Sequence, residues 1–181
     1  MVTGIGKSAI IAQKVVATFN STGTPALYMH AADAIHGDLG MMQKEDVVIC
    51  ISKSGESAEI KVLVPLVKHS KNFLIAIVGN TNSFLAKNAD LILNTTIKKE
   101  ACANNLAPTA STTAQLAMGD AIAVALQEMR GFTSKDFARV HPGGALGKKL
   151  YLTVEELSAQ HNRPSVLEND SLSKEIGRAH V

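Results

Sequence analysis

An apolar, β-branched run, Asp46-Val47-Val48-Ile49-Cys50-Ile51, ends abruptly in Ser52-Lys53-Ser54-Gly55-Glu56-Ser57 and gives way to an amphipathic stretch. No other feature constrains the fold as much. A short continuous apolar run bounded by polar residues reads as a strand buried on both faces, which places it inside a parallel sheet covered by helices. Its carboxyl end then delivers three hydroxyls to one turn. Gly55 permits the turn to be tight, and the first N–H groups of the following helix carry a partial positive charge. A phosphate oxygen satisfies all of these groups, whereas an ordinary helix N-cap needs one hydroxyl rather than three.

Strand and helix patterns alternate along the rest of the chain. Residues 7–21 read as a helix with Ile10, Ile11, Val15, Ala17 and Phe19 inward, closed by Gly23 and Pro25. Residues 26–29 form a short strand, 32–41 a partly helical polar segment, and 58–69 a helix that Pro65 should kink. Buried strands are expected at 73–78 and 91–93, with a short helix between them. A long helix rich in Ala and Met covers 112–130 and ends at Gly131. The sum is an α/β protein, a three-layer αβα open parallel sheet of the flavodoxin-like type. Ligands of such sheets bind beyond the carboxyl ends of the strands, where the serine turn lies.

Composition narrows the function. Aromatic residues make up 4% with no Trp, and the formal net charge is +2. Base-stacking platforms and a strong polyanion field are thus both absent, and no nucleic-acid partner is expected. No apolar run approaches the roughly 20 residues of a membrane span, and no secretion signal opens the chain. Cys50 sits in a buried strand and Cys102 in a separate segment, so no disulfide framework is expected. The reading is a cytoplasmic globular protein.

Both ends read as cut. Met1-Val2-Thr3-Gly4 reads as the end of a strand with nothing before it. Ile176-Gly177-Arg178-Ala179-His180-Val181 matches one frame of a common sequencing-library adapter and is expected to be a non-native tail rather than a frayed natural end. On this view an under-built sheet edge should make the fragment poorly soluble and weakly active until its N-terminal part is restored.

Other polar sites sit in glycine-rich or apolar company. Gly4-Ile5-Gly6-Lys7-Ser8 is a second glycine-rich strand-to-helix turn; a P-loop would need a glycine where Met1 stands. Lys7 is poorly placed at a helix N-terminus unless an anion is near. Lys98-Lys99-Glu100-Ala101-Cys102 leads to the hydroxyl-dense Thr109-Ala110-Ser111-Thr112-Thr113, which opens the long helix. His141-Pro142-Gly143-Gly144 fixes one imidazole in a stiff-then-flexible loop. His30 and His36, six residues apart, fall on different helix faces and make a poor metal pair.

Taken together, these segments resemble the sugar-isomerase (SIS) domain, and within it the arabinose-5-phosphate isomerases of the Kdo pathway. The resemblance is carried by 2–8, His36-Gly37-Asp38-Leu39-Gly40, 52–57, Lys99-Glu100-Ala101-Cys102, Leu106-Ala107-Pro108-Thr109 and 141–147, in the family's order. It implies an SIS isomerase domain over 1–150 with its N-terminal part missing. A linker and the start of a truncated CBS domain (a nucleotide-binding regulatory repeat) would follow over 151–175, and then the tail. The implied reaction interconverts D-ribulose 5-phosphate and D-arabinose 5-phosphate through an enediolate, supplying Kdo for lipopolysaccharide or capsule, with no cofactor and no metal. Ser52, Ser54 and Ser57, joined by Ser8, would clamp the phosphate. By resemblance Lys7, Glu59, Glu100 and His141 form the catalytic group and His36 reaches a neighbouring subunit's site. The preferred assignment makes Glu100 the carbon base, His141 the acid for ring opening or the oxygens, Lys7 the enediolate stabiliser and Glu59 an orienting group. The division among Glu59, Glu100 and His141 stays open. The long helix is apolar over more than one face, and with this the resemblance implies a homo-oligomer with a dimer core, assembled to a tetramer. A non-catalytic phosphosugar sensor and an isomerase of another sugar phosphate are the competing readings; a sensor has no need of the proton-transfer set.

Overall fold

The computed structural model describes residues 1–151 and 153–155; most of the expected CBS start and all of the tail at 176–181 lie outside them. The chain divides into two compact units, Met1–Thr133 and a second beginning at Ser134.

In the first unit, β1 (Val2–Gly4), β2 (Tyr28–His30), β3 (Val47–Ser52), β4 (Phe73–Val78) and β5 (Leu91–Asn94) build one sheet in the order β2-β1-β3-β4-β5. Every pairing is parallel; Val2 lies level with Tyr28 on one side and Ile49 on the other, and Ile49 with Ile75. Helices α1 (Lys7–Ser21), α2 (Ala58–His69), α3 (Phe84–Asn88) and α4 (Ala110–Met129) complete the unit. The chain runs from β1 outward to β2, then crosses back to place β3 on the other side of β1. The order therefore reverses between β1 and β3, and the carboxyl ends of those two strands flank the crevice that open α/β sheets use for ligands.

Alternate residues of each strand feed two cores. Val48, Cys50, Leu74 and Ala76 pack with Ile60, Leu63, Val67 and Leu85 of α2 and α3. Ile49, Ile51 and Ile77 point the other way, to Ala12, Val15 and Phe19 of α1 and Ala123 of α4. This is the three-layer arrangement expected from the uninterrupted apolar strands. Helix α1 approaches α4 so closely that a Cβ on Gly119 would lie 2.3 Å from Val15 Cγ2.

Four expectations are corrected. The buried stripe of α1 is Ser8, Ala9, Ala12, Val15 and Phe19, with Ile10 and Ala17 exposed. Position 10 lies two residues from 12 and thus on the far side of the helix. The second strand starts at Tyr28, not Ala26, because the Asn20 side chain ties up Ala26 through both its N–H and its carbonyl. β5 is an exposed edge rather than a buried strand, as nothing pairs beyond it among the described residues. The long helix begins at Ala110, two residues earlier than its apolar pattern indicates. Helix α2 runs through Pro65, which is exposed on its outer side.

In the second unit, α5 (Ser134–Val140) leads into the His-Pro-Gly-Gly turn and α6 (Ala145–Tyr151). Among the described residues no helix is long and apolar enough to cross a membrane.

Candidate functional site

β3 stops at Ser52, and the serine turn folds back on itself through its own hydroxyls. Ser52 Oγ accepts from Gly55 N at 2.9 Å and Ser54 Oγ from Glu56 N at 3.3 Å. In both cases the oxygen is used as an acceptor and the O–H remains to donate. Gly55 has φ +67°, and a Cβ there would lie 2.2 Å from Ser83 Oγ, so only glycine lets the turn close against the α3 N-terminus. Glu56 fixes the far side, accepting from Phe84 N at 2.7 Å and pairing with Lys61 at 2.8 Å.

Ser57 stands at the N-cap of α2, yet its side chain makes no capping bond. Its Oγ is sealed from solvent without a hydrogen-bond partner. A buried hydroxyl left unpaired is costly. The simple capping role is thus not the one Ser57 performs.

Two further segments converge on the turn. After β1, Ile5, Lys7 and Ser8 enter α1; Ser8 Oγ donates to Gln115 Oε1 at 3.1 Å, and Lys7 is exposed in a first helical turn that holds no acid. Pro108, just before α4, and Ser111 and Thr112 in its first turn form the third wall. With Ser52, Lys53, Ser54 and Ser57 these residues line a cavity of about 220 Å³ at the sheet's switch point. That is below the roughly 300–1,000 Å³ of drug-sized pockets, and the lining of hydroxyls and two lysines suits a small anion.

Glu100 bonds two of the lining residues, Lys53 and Ser111, with its carboxylate fully buried. Five donors surround it. Oε2 accepts from Thr109 N at 2.9 Å, Thr109 Oγ1 at 3.2 Å and Ser111 N at 3.1 Å. Oε1 accepts from Ser111 Oγ at 2.6 Å and pairs with Lys53 Nζ at 2.7 Å. The Lys53 ammonium first, then the Ser111 hydroxyl and the two backbone N–H groups, hold its carboxyl far below the usual carboxylate range despite burial. Thr109, the N-cap of α4, makes no capping bond of its own; Glu100 satisfies the orphan N–H groups in its place.

The expected site residues therefore fall into groups. Lys7, Ser8, Ser52, Ser54 and Ser57 meet at one cavity, with Glu100 one side chain away through Lys53 and Ser111. Glu59 is half-buried in the first turn of α2 and does not line the cavity. His36 is exposed in a short 3₁₀ turn, Ala34–His36, away from the lining. His141 belongs to the second unit, where its Nδ1 lies 3.0 Å from the Phe137 carbonyl oxygen and its ring stacks on Phe137 at 3.9 Å. Sequence reasoning passed over Lys53 and Gln115. For Gln115 a signal existed: Ser111, Gln115, Gly119 and Ala123 recur every four residues on one face of α4. For Lys53 there was none beyond its place between two serines.

The arabinose 5-phosphate isomerase KdsD of Francisella tularensis is 51% identical to this chain over 177 residues, 97% of this chain and 54% of that protein. The enzyme of that name from Escherichia coli K12 is 55% identical over 157 residues, 87% and 48% respectively. The chain thus spans about half the length of the curated relatives it matches. Among solved structures, an E. coli CFT073 protein in complex with arabinose 5-phosphate superposes with a TM-score of 0.76 at 49% identity, covering 78% of this chain and 75% of that one. Residues 1–125 match the SIS domain family model. With the parallel sheet and the hydroxyl-lined cavity at its switch point, the chain belongs to the SIS domain family.

Proposed function

We propose that this chain is the isomerase part of an enzyme interconverting D-ribulose 5-phosphate and D-arabinose 5-phosphate, supplying Kdo biosynthesis in the cytoplasm for lipopolysaccharide or capsule. The observation that carries the reading is the unpartnered Ser57 hydroxyl beside the free O–H groups of Ser52 and Ser54, with Lys7 facing the same cavity. These groups acquire their partner when a phosphate arrives. The choice of sugar rests on the relatives' names and on their identity to this chain.

Starting from the aldose, a base removes the C2 proton. The electron pair flows toward the carbonyl oxygen, the enediolate is held by a cation, and a proton returns to C1 as the C2 oxygen becomes the carbonyl. Lys7, with no acid in its helical turn, is the stabilising cation. Of the three groups open to the base role, Glu100 is poorly matched: a base works best with a pKa near the operating pH, and Lys53, the Ser111 hydroxyl and two backbone N–H groups hold Glu100 far below it. The choice between Glu59 and His141 for that role stays open. His36, exposed and apart from the lining, completes the site of a second subunit in a homo-oligomer with a dimer core that assembles to a tetramer. The exposure of Val124 (60%) and Met129 (83%) on α4 supports that assembly.

The test is to incubate the chain with ribulose 5-phosphate in deuterated water and follow the products by NMR. Arabinose 5-phosphate carrying solvent deuterium at C2 is expected. Binding without turnover would instead favour a phosphosugar sensor, and a different aldose another isomerase.

A further inference from the structure

Lys53 is held at both ends. Its backbone carbonyl accepts from Gly79 N and Asn80 N, both at 3.1 Å, in the turn that follows β4. A Cβ on Gly79 would lie 2.8 Å from that carbonyl oxygen, so the two turns are in close contact. At its other end the ammonium rests 2.7 Å from Glu100 Oε1. The side chain thus reaches from the serine turn to the wall built by the start of α4. It remains 46% exposed where it lines the cavity. A surface lysine normally keeps its rotamer freedom, and fixing a long side chain at both ends is the arrangement of a group prepared for a ligand.

The electrostatics agree. Glu100 uses one of the three ammonium donors, leaving two for an oxygen in the cavity. Glu100 itself has no reach into the cavity, since the other donors on its two oxygens come from Thr109 and Ser111. With Lys7 and Lys53 counted against Glu100, the cavity keeps one positive charge for a phosphorylated ligand.

We infer that Lys53 is a substrate-contacting cation of this site and that Glu100 is a positioning residue which acts through it. The inference rests on the sugar-phosphate reading above and adds to it a second cation with a fixed counterion. It also gives the buried carboxylate a task that suits a group kept ionised: holding Lys53 and the α4 N-terminus rather than moving a proton.

A double-mutant cycle tests this on the full chain. Lys53→Met and Glu100→Gln should each lower kcat/KM about 10–100-fold, the size of a lost charge-assisted hydrogen bond. The double variant should fall no further than Lys53→Met alone, because Glu100 acts on substrate only through Lys53. Lys53→Arg should recover much of the loss. If the single losses multiply in the double variant, Glu100 acts independently of Lys53 and the inference is overturned. It is equally overturned if Lys53→Met binds and turns over substrate like the parent. Thermal melts identify any variant that fails to fold. Should Glu100→Gln fail, Lys53→Met and Lys53→Arg still decide whether Lys53 touches substrate. A parent that converts neither sugar refutes the isomerase reading alone. The same cycle is then read by calorimetry as affinity for arabinose 5-phosphate, where Lys53→Met must still weaken binding.

Discussion

Replacing Ser57 by alanine separates a helix cap from an anion clamp by sign as well as size. A serine that caps a helix costs about 0.5–2 kcal/mol when truncated. Ser57 makes no such bond, and its Oγ is buried without a partner. Removing an unpaired buried hydroxyl relieves a desolvation cost of about 1–3 kcal/mol. Ser57→Ala should therefore leave the ligand-free protein as stable as the parent or more so. Each kcal/mol appears as roughly 2–4 °C in Tm for a chain of this size. The loss comes with ligand: one bond to a charged acceptor is worth about 1.5–3 kcal/mol, or about 10- to 150-fold in Kd. At a sugar-phosphate concentration of about 100 times the parent's Kd, ligand stabilises the parent by about 2.7 kcal/mol; a tenfold weaker variant retains about 1.4 kcal/mol. Scanning calorimetry with and without arabinose 5-phosphate measures both quantities in one series. A variant that melts earlier without ligand, yet keeps the parent's full ligand-induced shift, would falsify the clamp.

Three other perturbations follow from the same geometry. Gly55→Ala places a Cβ in left-handed backbone and 2.2 Å from Ser83 Oγ; at about 1–2 kcal/mol for the backbone and about 1–3 for overpacking, it should lower Tm well beyond any serine variant in the turn. A melt unchanged from the parent would show that the turn can rearrange. Cys50 is buried with its thiol pushed up to about 12, whereas backbone N–H groups of Ala107 and Leu106 hold Cys102 below its ordinary value. Iodoacetamide at neutral pH should then label Cys102 alone in the folded protein, as mass mapping of the peptides can verify. The depressed carboxyls of Glu100 and Asp90 stabilise the fold above the ordinary carboxylate range. That contribution fades as pH falls below it toward their lowered values. Acid melts of Glu100→Gln should be flatter than the parent's over that window, and parallel curves would refute the assignment.

Much of this was legible in the sequence because the fold is written in uninterrupted apolar runs. Strands β3 and β4 are buried on both faces, so their composition leaves few alternatives, and α1 and α2 were placed to the residue by their capping and closing signals. What misled was periodicity in helices with apolar residues on more than one side. Ile10 is as apolar as Val15, and only the packing of α1 against Gly119 of α4 decides which one turns inward. The edge position of β5 was likewise hidden, since an apolar tetrapeptide does not record how many neighbours pair with it.

For the candidate site, residue types were legible and their partners were not. A hydroxyl-rich turn after a buried strand already implies an anion, because hydroxyl donors and free N–H groups have few other common uses. Glu100 is the instructive opposite. As one acid in a polar segment it reads as a carboxylate that partial burial could raise into the range useful for proton transfer. In the fold, Thr109 and Ser111 turn their N–H groups onto it, and Lys53 reaches it from a loop far earlier in the chain. Those partners reverse the expected direction of its pKa, so a residue suited by type to proton transfer becomes by environment a fixed charge. On the proposed isomerase reading, the proton transfers then fall to a group other than this fixed charge. Glu59, half-buried in the first turn of α2 just after the serine turn, is the acid on which that question now turns.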